Sequence, residues 1–583
     1  MLFKNKNLKK FTAASTSICM IGASSIFTAC AASADTWKNN VGSINLDTME
    51  VSGLGIAADG TTVKITEGGD YTVTGTLADG MIYVNCDDKV KLRLSGASIT
   101  NADGPCIYFE QSQKGFITIT EGTQNTLTDG TEYTDSDAKG AIFSNDDIEI
   151  KGSGSLTVTS NYNHAIVSDD KIDIQNGNLT LTAAKDGLHA NDDITVSGGT
   201  IEIKSADDGL QSEDTVNIDG GTFNITADGK AITGNGNVTV NSGTINILKA
   251  TEGIESKAEL TINDGDINIT CSDDGLNTGN QKQNNEQTDT ANPDGQNPPQ
   301  PPQDGTQPDI TQLPQMPQNG EQIQPPQNGD NAAPPQMPQD GTQTQPPQNN
   351  IKGNKNMQNK NEMRPPRTNG GNNNMQTPPN QNQNSAQTPQ NGEQTQPPRE
   401  NGEFGGKKAP NSKNGTDDGT HLITINGGNI YINADGDSID SNGDLVINGG
   451  NITIDGTVSN GDGILDSDGE ITINGGTLLG IGSSGMFETP SDTSKQNTIC
   501  VFFDTQKESS VITVKNSSGK TIAEHTAKKS YSAIIYSNSD IEKGESYSVY
   551  IDGTLVQTVK SDNVVTSAGS KQNTRANMQF KMR

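Results

Sequence analysis

The chain has 583 residues, of which 72 are acidic and 40 are basic, so its formal net charge is −32. This charge argues against nucleic acid as a partner, because phosphate binding requires Lys and Arg, and it favours cations or acidic polymers held through a bridging cation. Hydrophobic residues make up 29% and aromatic residues 4%, which is too little for a compact core of this length unless the core is thin and repetitive or part of the chain is disordered.

The N-terminus predicts export from the cell. Residues 1–34 combine a Lys-rich start, an apolar run from about Phe11 to Ala29 and small residues at 32–34, as in a secretory signal. The segment IFTAC also resembles a bacterial lipobox, which makes Cys30 a candidate lipidation site; cleavage after Ala34 is the alternative. We expect an extracellular or cell-surface protein that meets the membrane only through a lipid anchor, because no second apolar run could span a bilayer.

An internal repeat dominates the rest of the chain. Each unit, such as GLHANDDITVSGGTIEIKSADD, holds three short strand-like runs separated by turn residues, and a looser version of the pattern occupies residues 61–133. This pattern predicts an all-β fold, a parallel β-helix with coils of about 22 residues. The units are aligned by starting them at Gly140, His164, Gly187, Gly209, Lys230, Gly253 and, after an interruption, Ser438 and Gly463.

The interruption is a Gln/Asn/Pro-rich stretch over residues 281–416, which we predict to be disordered. It lies inside a repeat unit, so residues 35–280 and 417–485 are expected to form one β-helix. Residues 486–583 are expected to form a small C-terminal β cap with a tail, in which Thr498 to Val559 form antiparallel strands that cover the open sheet edge.

The cysteines outside the signal are scattered, without metal-binding spacing. We expect Cys86, Cys106, Cys271 and Cys500 to be buried apolar thiols, with a Cys86–Cys106 disulfide as the alternative.

One set of polar residues recurs at the same turn of successive units, where short side chains can hydrogen-bond along the stack. We interpret it as a structural ladder rather than a site. Its members are Gln175, Ser197, Asp219, Asn241, Asn263, Asn426, Asn448 and Asn474.

A second set is acidic and precedes the unit openings. Stacked coils would place these carboxylates in a column, and adjacent like charges are destabilising, so the column predicts a Ca²⁺ site built from oxygen ligands. A solvated acidic edge is the alternative, and Asp147, Asp170, Asp193 and Asp214 form a weaker second set. The candidate metal ligands are Asp186, Asp207, Asp208, Asp228 (beside Gly229), Glu252, Asp273, Asp274, Asp435, Asp437 and Asp462.

With these residues in place, the chain resembles the clostridial carbohydrate-binding parallel β-helix family. The resemblance rests on TEGGDYTVTGTLADGMIYV, TEGTQNTLTDGTEY, SNYNHAIVSDDKIDI, the repeated D-D-G-L units and KSYSAIIYSNSDIEKGESYSVY. It implies a right-handed β-helix that binds Ca²⁺ through the acidic column and binds cellulose-like and acidic polysaccharides, similar to pectate lyases but without clear lyase activity.

We therefore expect a monomeric, non-catalytic, calcium-dependent polysaccharide-binding protein. The only Trp is Trp37, which argues against rows of aromatic platforms and favours acidic glycans. One alternative is a calcium-dependent lyase with Lys185 or Lys230 as the base; another is a surface adhesin that acts through residues 281–416. His164 and His189 are expected to have no catalytic role, because no Ser or Cys follows them at catalytic spacing.

Overall fold

The computed structural model describes residues 35–135, 137–279 and 421–571, which belong to one compact unit. The predicted signal segment with Cys30 and the predicted disordered insertion lie outside the described residues. Within the described ranges the one helix is a 3₁₀ turn, Thr36–Asn39, and no helix is long and apolar enough to cross a bilayer.

Stacked parallel strands form a β-helix of about 12 turns with three faces, as the repeat predicts. The first face is a 13-stranded sheet that begins with a short antiparallel pair and continues in parallel. Its strands are Ile56–Asp59, Thr62–Ile65, Met81–Asn85, Ile107–Gln111, Gly140–Ser144, His164–Ser168, Leu188–Ala190, Leu210–Ser212, Ile232–Gly234, Ile254–Ser256, Leu276–Thr278, Ile439–Ser441 and Asp466–Ser467.

The second and third faces belong to one 27-stranded sheet, because the long strands Gly69–Leu77 and Lys89–Asn101 run through both. At the N-terminal end, Val41–Asn45 pairs with Gly69–Leu77 and with Glu50–Ser52. The second face continues through Lys114–Ile119, Ile148–Gly152, Ile172–Ile174, Ile194–Val196, Val216–Ile218, Val238–Val240, Glu259–Ile262, Leu422–Ile425, Asp444–Ile447 and Ile471–Ile473. The third face continues through Gln124–Asp129, Ser155–Ser160, Asn178–Ala183, Thr200–Ser205, Thr222–Ala227, Thr244–Lys249, Asp266–Cys271, Asn429–Ala434, Asn451–Asp455 and Thr477–Gly482.

The core consists of aliphatic ladders, one side chain per coil, which is how a chain with few hydrophobic residues fills its interior. Inward residues alternate with outward polar ones along each strand, and each fully buried Ile, Leu or Val contributes about 1.5–3 kcal/mol. One ladder on the second face, no member of which is more than 4% exposed, is Ile148, Ile172, Ile194, Val216, Val238, Leu260, Ile423, Leu445 and Ile471.

The coils before and after residue 280 pair directly with each other. Leu276 is in register with Ile439 on the first face, and Leu260 is in register with Ile423 on the second. The interruption in the sequence therefore causes no break in the stack of described coils.

The predicted turn ladder is confirmed from Asp219 to Asn474, whereas the Gln175 side chain donates to Asp173 instead. Asn263 donates to Asn241 at 2.7 Å, Asn426 donates to Asn263 at 2.8 Å, and Asn448 donates to Asn426 at 2.9 Å. A glycine with φ between 83° and 132° follows two residues later in each of these turns, from residue 177 to residue 476. Only glycine adopts this conformation without strain, so the ladder and the glycines together define the corner between the second and third faces.

The C-terminal segment covers the last coil, as predicted. Tyr531–Ser537 pairs antiparallel with the edge strand Thr477–Gly482 and with Thr498–Gln506, while Val565–Ala568 adds a parallel strand. A separate antiparallel sheet packs beside it, formed by Val511–Lys515, Thr521–Thr526, Ser546–Ile551 and Thr554–Lys560.

The four cysteines outside the signal are buried free thiols, including Cys86 and Cys106. Burial raises the pKa of Cys271 to about 12, so this thiol is unreactive at neutral pH. The expectation of buried apolar thiols is confirmed, and the disulfide alternative is not formed in this structure.

Candidate functional site

The acidic residues predicted to form one column occupy three neighbouring rows at the edge of the first face. We define the acidic column as the row one residue before the small residue that opens each coil. In the order of the stack it contains His164, Asp186, Asp208, Lys230, Glu252, Asp274, Asp437 and Gly463.

Two of the predicted positions were therefore misplaced. Lys230, not Gly229, follows Asp208 in the column, since Gly209 donates its N–H to the carbonyl of Lys230. Asp462 lies one residue before the column position, which is Gly463. The column therefore contains His164 and Lys230 besides its carboxylates and is not uniformly acidic.

The error arose because the repeats were aligned on glycine. A Cβ at Gly209 would lie 2.4 Å from the next coil's carbonyl, so the position is tight, yet the structure places Ala165 and Ala231 there in two coils. With these alanines at the opening position, the steps from His164 to Asp274 are all 22 residues, as in the hydrogen bond from Lys230 to Asp208.

The other predicted ligands fall into two flanking rows. Asp207, Asp273 and Asp462 lie one residue before the column, whereas Asp228 and Asp435 lie two residues before it. Asp228 pairs with Lys249 at 2.5 Å and Asp435 pairs with Lys529 at 2.7 Å. These two exposed carboxylates are thus neutralised by lysines and do not join the column.

The column carboxylates also hydrogen-bond the backbone of the next coil. Asp186 accepts the N–H of Asp208 at 3.0 Å, Asp208 accepts that of Lys230 at 2.6 Å, and Asp274 accepts that of Asp437 at 2.8 Å. Gly463 donates to Asp437 in the same way. One oxygen of each of these side chains is thus held by the backbone of the next coil.

Asp186 is the point where two histidines converge. His164 Nδ1 lies 3.0 Å and His189 Nδ1 lies 2.9 Å from Asp186 Oδ2, and the two rings stack at 4.4 Å. Burial would raise the pKa of Asp186, but the hydrogen bonds from the two imidazoles outweigh it and lower the pKa. The sequence analysis missed this contact, although the 22-residue spacing from His164 to Asp186 signals it.

The carboxylates of Asp186, Asp207 and Asp208 converge on one point, with one oxygen of each within 4.8 Å of the others. Burial raises the pKa of Asp208 to about 7, and the negative charges of Asp186 and Asp207 add to the rise against the opposing hydrogen bond from Lys230. Among the described residues no Lys or Arg forms an ion pair with Asp207 or Asp208. The three carboxylates therefore form an acidic cluster without a lysine or arginine partner among the described residues.

Below this cluster the column is neutralised internally. Lys230 and Lys257 both pair with Glu255, whose side chain is 2% exposed, and Glu252 lies 3.5 Å from Lys230. Burial would lower the pKa of Lys230, but the hydrogen bond and charge of Glu255 outweigh it and raise the pKa. Lys230 is therefore held protonated, contrary to what a general base requires.

A second cluster forms further down, around Asp274. Burial, reinforced by Asp273, raises the pKa of Asp274 to about 7; burial, reinforced by Asp274 and Asp437, raises the pKa of Asp440 to about 8. Asp440 was not predicted, because it belongs to the middle of the strand, in register with Asn277 and Asp466. Asn277 is 8% exposed, and its buried Oδ1 has no hydrogen-bond donor.

The weaker predicted set separates in a similar way. Asp147 and Asp193 share a row with Lys114 and Lys171, and Lys171 pairs with Asp193. Asp170 and Asp214 lie one residue earlier in their coils. The row with Asp147 is thus an alternating ladder of opposite charges, which needs no bound ion.

Comparisons with known proteins find matches to part of the chain. Residues 59–292 match a family described as "Carbohydrate-binding domain-containing protein". A curated relative with the same description, from Acetivibrio thermocellus, is 36% identical over 147 residues, which are 24% of this chain and 50% of the relative. The chain thus spans about half the length of the curated relative that it matches.

A solved structure is also similar. It is described as the polysaccharide lyase-like protein from C. thermocellum, gadolinium derivative, and it shares 32% identity with a TM-score of 0.33, over 41% of this chain and 96% of that one. The predicted resemblance to the clostridial carbohydrate-binding family is confirmed for residues 59–292.

Proposed function

We propose that this protein is a non-catalytic, calcium-dependent polysaccharide-binding protein at the bacterial cell surface, and that its ligand is an acidic glycan. The convergence of Asp186, Asp207 and Asp208 carries the proposal. The family match over residues 59–292 supports a carbohydrate as the ligand.

The first cluster fits Ca²⁺ in its chemistry. All three side chains offer hard oxygen ligands, which Ca²⁺ prefers, and bound Ca²⁺ would offset the burial and the repulsion from Asp186 and Asp207 that raise the pKa of Asp208. Asp207 is exposed, so the cluster opens to solvent. When bound there, Ca²⁺ supplies a positive charge that links a glycan carboxylate to those of the protein.

The second cluster also fits, and an unsatisfied atom supports it. Burying a polar oxygen without a partner costs about 1–3 kcal/mol, and Asn277 Oδ1 is such an atom, beside Asp274. An amide oxygen is an ordinary Ca²⁺ ligand. Asp274, Asp440 and Asn277 are thus candidate ligands of a second ion.

The residues around the first cluster position its carboxylates. His164 and His189 fix the orientation of Asp186, while the N–H of Lys230 fixes one oxygen of Asp208. Because these contacts exist before any ligand binds, little side-chain ordering remains to oppose binding.

Lyase chemistry is less well supported. Lys230 pairs with Glu255 and its pKa is raised, whereas Lys185 is an exposed side chain. Removal of a proton next to a uronate carboxylate requires a neutral base held against the sugar, and neither lysine is arranged in that way. We therefore keep binding as the proposed function.

The test is a titration of hexagalacturonate into the full-length protein by calorimetry, with Ca²⁺ or with a chelator. We expect binding only with Ca²⁺, and no release of unsaturated uronide over long incubation. Unsaturated product would instead show a lyase, and equal binding in chelator would contradict the calcium requirement.

A further inference from the structure

A polar cleft lies between the third face and the C-terminal cap, several coils away from the cluster of Asp186, Asp207 and Asp208. Its floor is the outer surface of Asp266–Cys271, Asn429–Ala434 and Asn451–Asp455, and His525 of the cap forms its wall. The cleft has a volume of about 370 Å³. Its lining residues are Asp266, Asn268, Asn429, Tyr431, Asn451 and Thr453, together with Ile430 and His525.

We propose that this cleft binds an uncharged segment of polysaccharide, with the Tyr431 ring as its stacking platform. The inference rests on the proposed carbohydrate-binding function and assigns it a second, calcium-independent subsite.

A buried carboxylate holds the cleft in shape. Asp455 is 0% exposed, and it accepts hydrogen bonds from the Tyr431 hydroxyl at 2.7 Å, from His525 Nε2 at 3.0 Å and from the N–H of Lys528 at 2.9 Å. Two of these donors come from the cap and one from the coil. The same side chain therefore connects the cap to the coil and fixes the position of the Tyr431 hydroxyl.

The directions of the pKa shifts of Asp455 and Tyr431 agree with this hydrogen-bond network. Burial would raise the pKa of Asp455, but the hydrogen bonds from His525 and Lys528 lower it. Burial, and then the neighbouring Asp455, raise the pKa of Tyr431. At neutral pH the tyrosine is a neutral donor and the carboxylate is charged, so the hydrogen bond between them is charge-assisted.

The rim of the cleft offers amide groups in register. Asp266, Asn429 and Asn451 occupy successive coils, as do Asn268, Tyr431 and Thr453. The Asn268 row continues upstream, since Asn268 donates to Asn246 at 3.1 Å. Amides donate and accept at once, which suits sugar hydroxyls, and the straight rows suit an extended polymer.

Two features favour an uncharged sugar. Among the described residues no Lys or Arg lines the cleft, whereas Asp266 and the buried Asp455 are negative, so a uronate carboxylate would be repelled. The side-chain amide of Asn451 is exposed and forms no hydrogen bond to other described side chains, so it is available to a ligand. An aromatic ring beside a free amide is the combination that sugar faces and hydroxyls require.

The experiment measures binding of cellohexaose, as the uncharged probe, and hexagalacturonate, in Ca²⁺ and in chelator, to the full-length protein. We expect cellohexaose to bind in both buffers. Tyr431→Ala and Asn451→Ala should each weaken cellohexaose binding about tenfold, as expected when about 1.4 kcal/mol is lost. Neither variant should change the affinity for hexagalacturonate. Tyr431→Phe, which keeps the ring, should weaken cellohexaose binding less than Tyr431→Ala.

Controls separate this inference from the proposed function. Thr239→Ala, on the second face, should change neither affinity, and the melting temperature of each variant reports folding. If wild type binds hexagalacturonate but not cellohexaose, or if the Tyr431 and Asn451 variants bind cellohexaose normally, the cleft assignment is wrong and the calcium site stands. Loss of both ligands in Asn451→Ala would also overturn the assignment, and failure of wild type to bind either probe would overturn both proposals.

Discussion

Replacing Asp208 with Asn should stabilise the calcium-free protein at alkaline pH. The pKa of this carboxyl is raised from 3.8 to about 7 in the folded chain, so folding favours the protonated form. The stability that it contributes is present below about pH 4 and is lost as pH rises through about 7. A shift of about 3 units corresponds to about 4 kcal/mol, which is the gain expected for Asp208→Asn in chelator at pH 8.

Asn is the suitable replacement because its Oδ1 can still accept the N–H of Lys230, now 2.6 Å from Asp208. The assay is urea unfolding at pH 4, 6 and 8, in Ca²⁺ and in chelator. In chelator, the difference in the free energy of unfolding between variant and wild type should grow from near zero at pH 4 to about 4 kcal/mol at pH 8. In Ca²⁺ the wild type should gain stability by mass action, and the variant should gain much less.

Asp219→Asn is the matched control. It removes an equal charge from the same coil, but Asp219 belongs to the turn ladder, where it accepts from Asn241 at 2.7 Å and where most coils have Asn. Its calcium response should equal that of wild type. The reasoning is refuted if Asp208→Asn destabilises the chelated protein at pH 8, or if it keeps the full calcium response.

Two further changes test neighbouring parts of the account. Lys230→Met should cost about 1.5–3 kcal/mol in urea unfolding, because it removes the hydrogen bond of one of the two lysine partners of the buried Glu255; Lys185→Met, at an exposed side chain, should cost less than about 1 kcal/mol. Cys30→Ala should release the protein from cells into the medium if Cys30 carries the lipid anchor, and fractionation that finds wild type already in the medium would instead favour cleavage after Ala34.

The fold was predictable because its signals are periodic. Alternating residues such as Ile194 and Val196, followed by turn glycines, recur often enough to define coils. The Asn ladder could also be predicted from the sequence. The same residue type recurs at one turn of successive units, and few other registers of the strands would align these residues.

The candidate site was only partly predictable. The predicted register was wrong by one residue where Ala231 replaces glycine, so Lys230 was not predicted to belong to the column. Asp440 and the two histidines lie on strands beside the column, so only the stacking brings them to it. The cleft at Tyr431 depends on the contact between Asp455 and His525, 70 residues further along the chain, and no local sequence pattern indicates such a contact.

The most direct test of the account is an anomalous difference map from a crystal of the protein grown with Ca²⁺. The account predicts a peak between the carboxylates of Asp186, Asp207 and Asp208, with oxygen distances of about 2.3–2.6 Å, and loss of that peak in Asp208→Asn. A well-ordered map with no peak among these three side chains would contradict it.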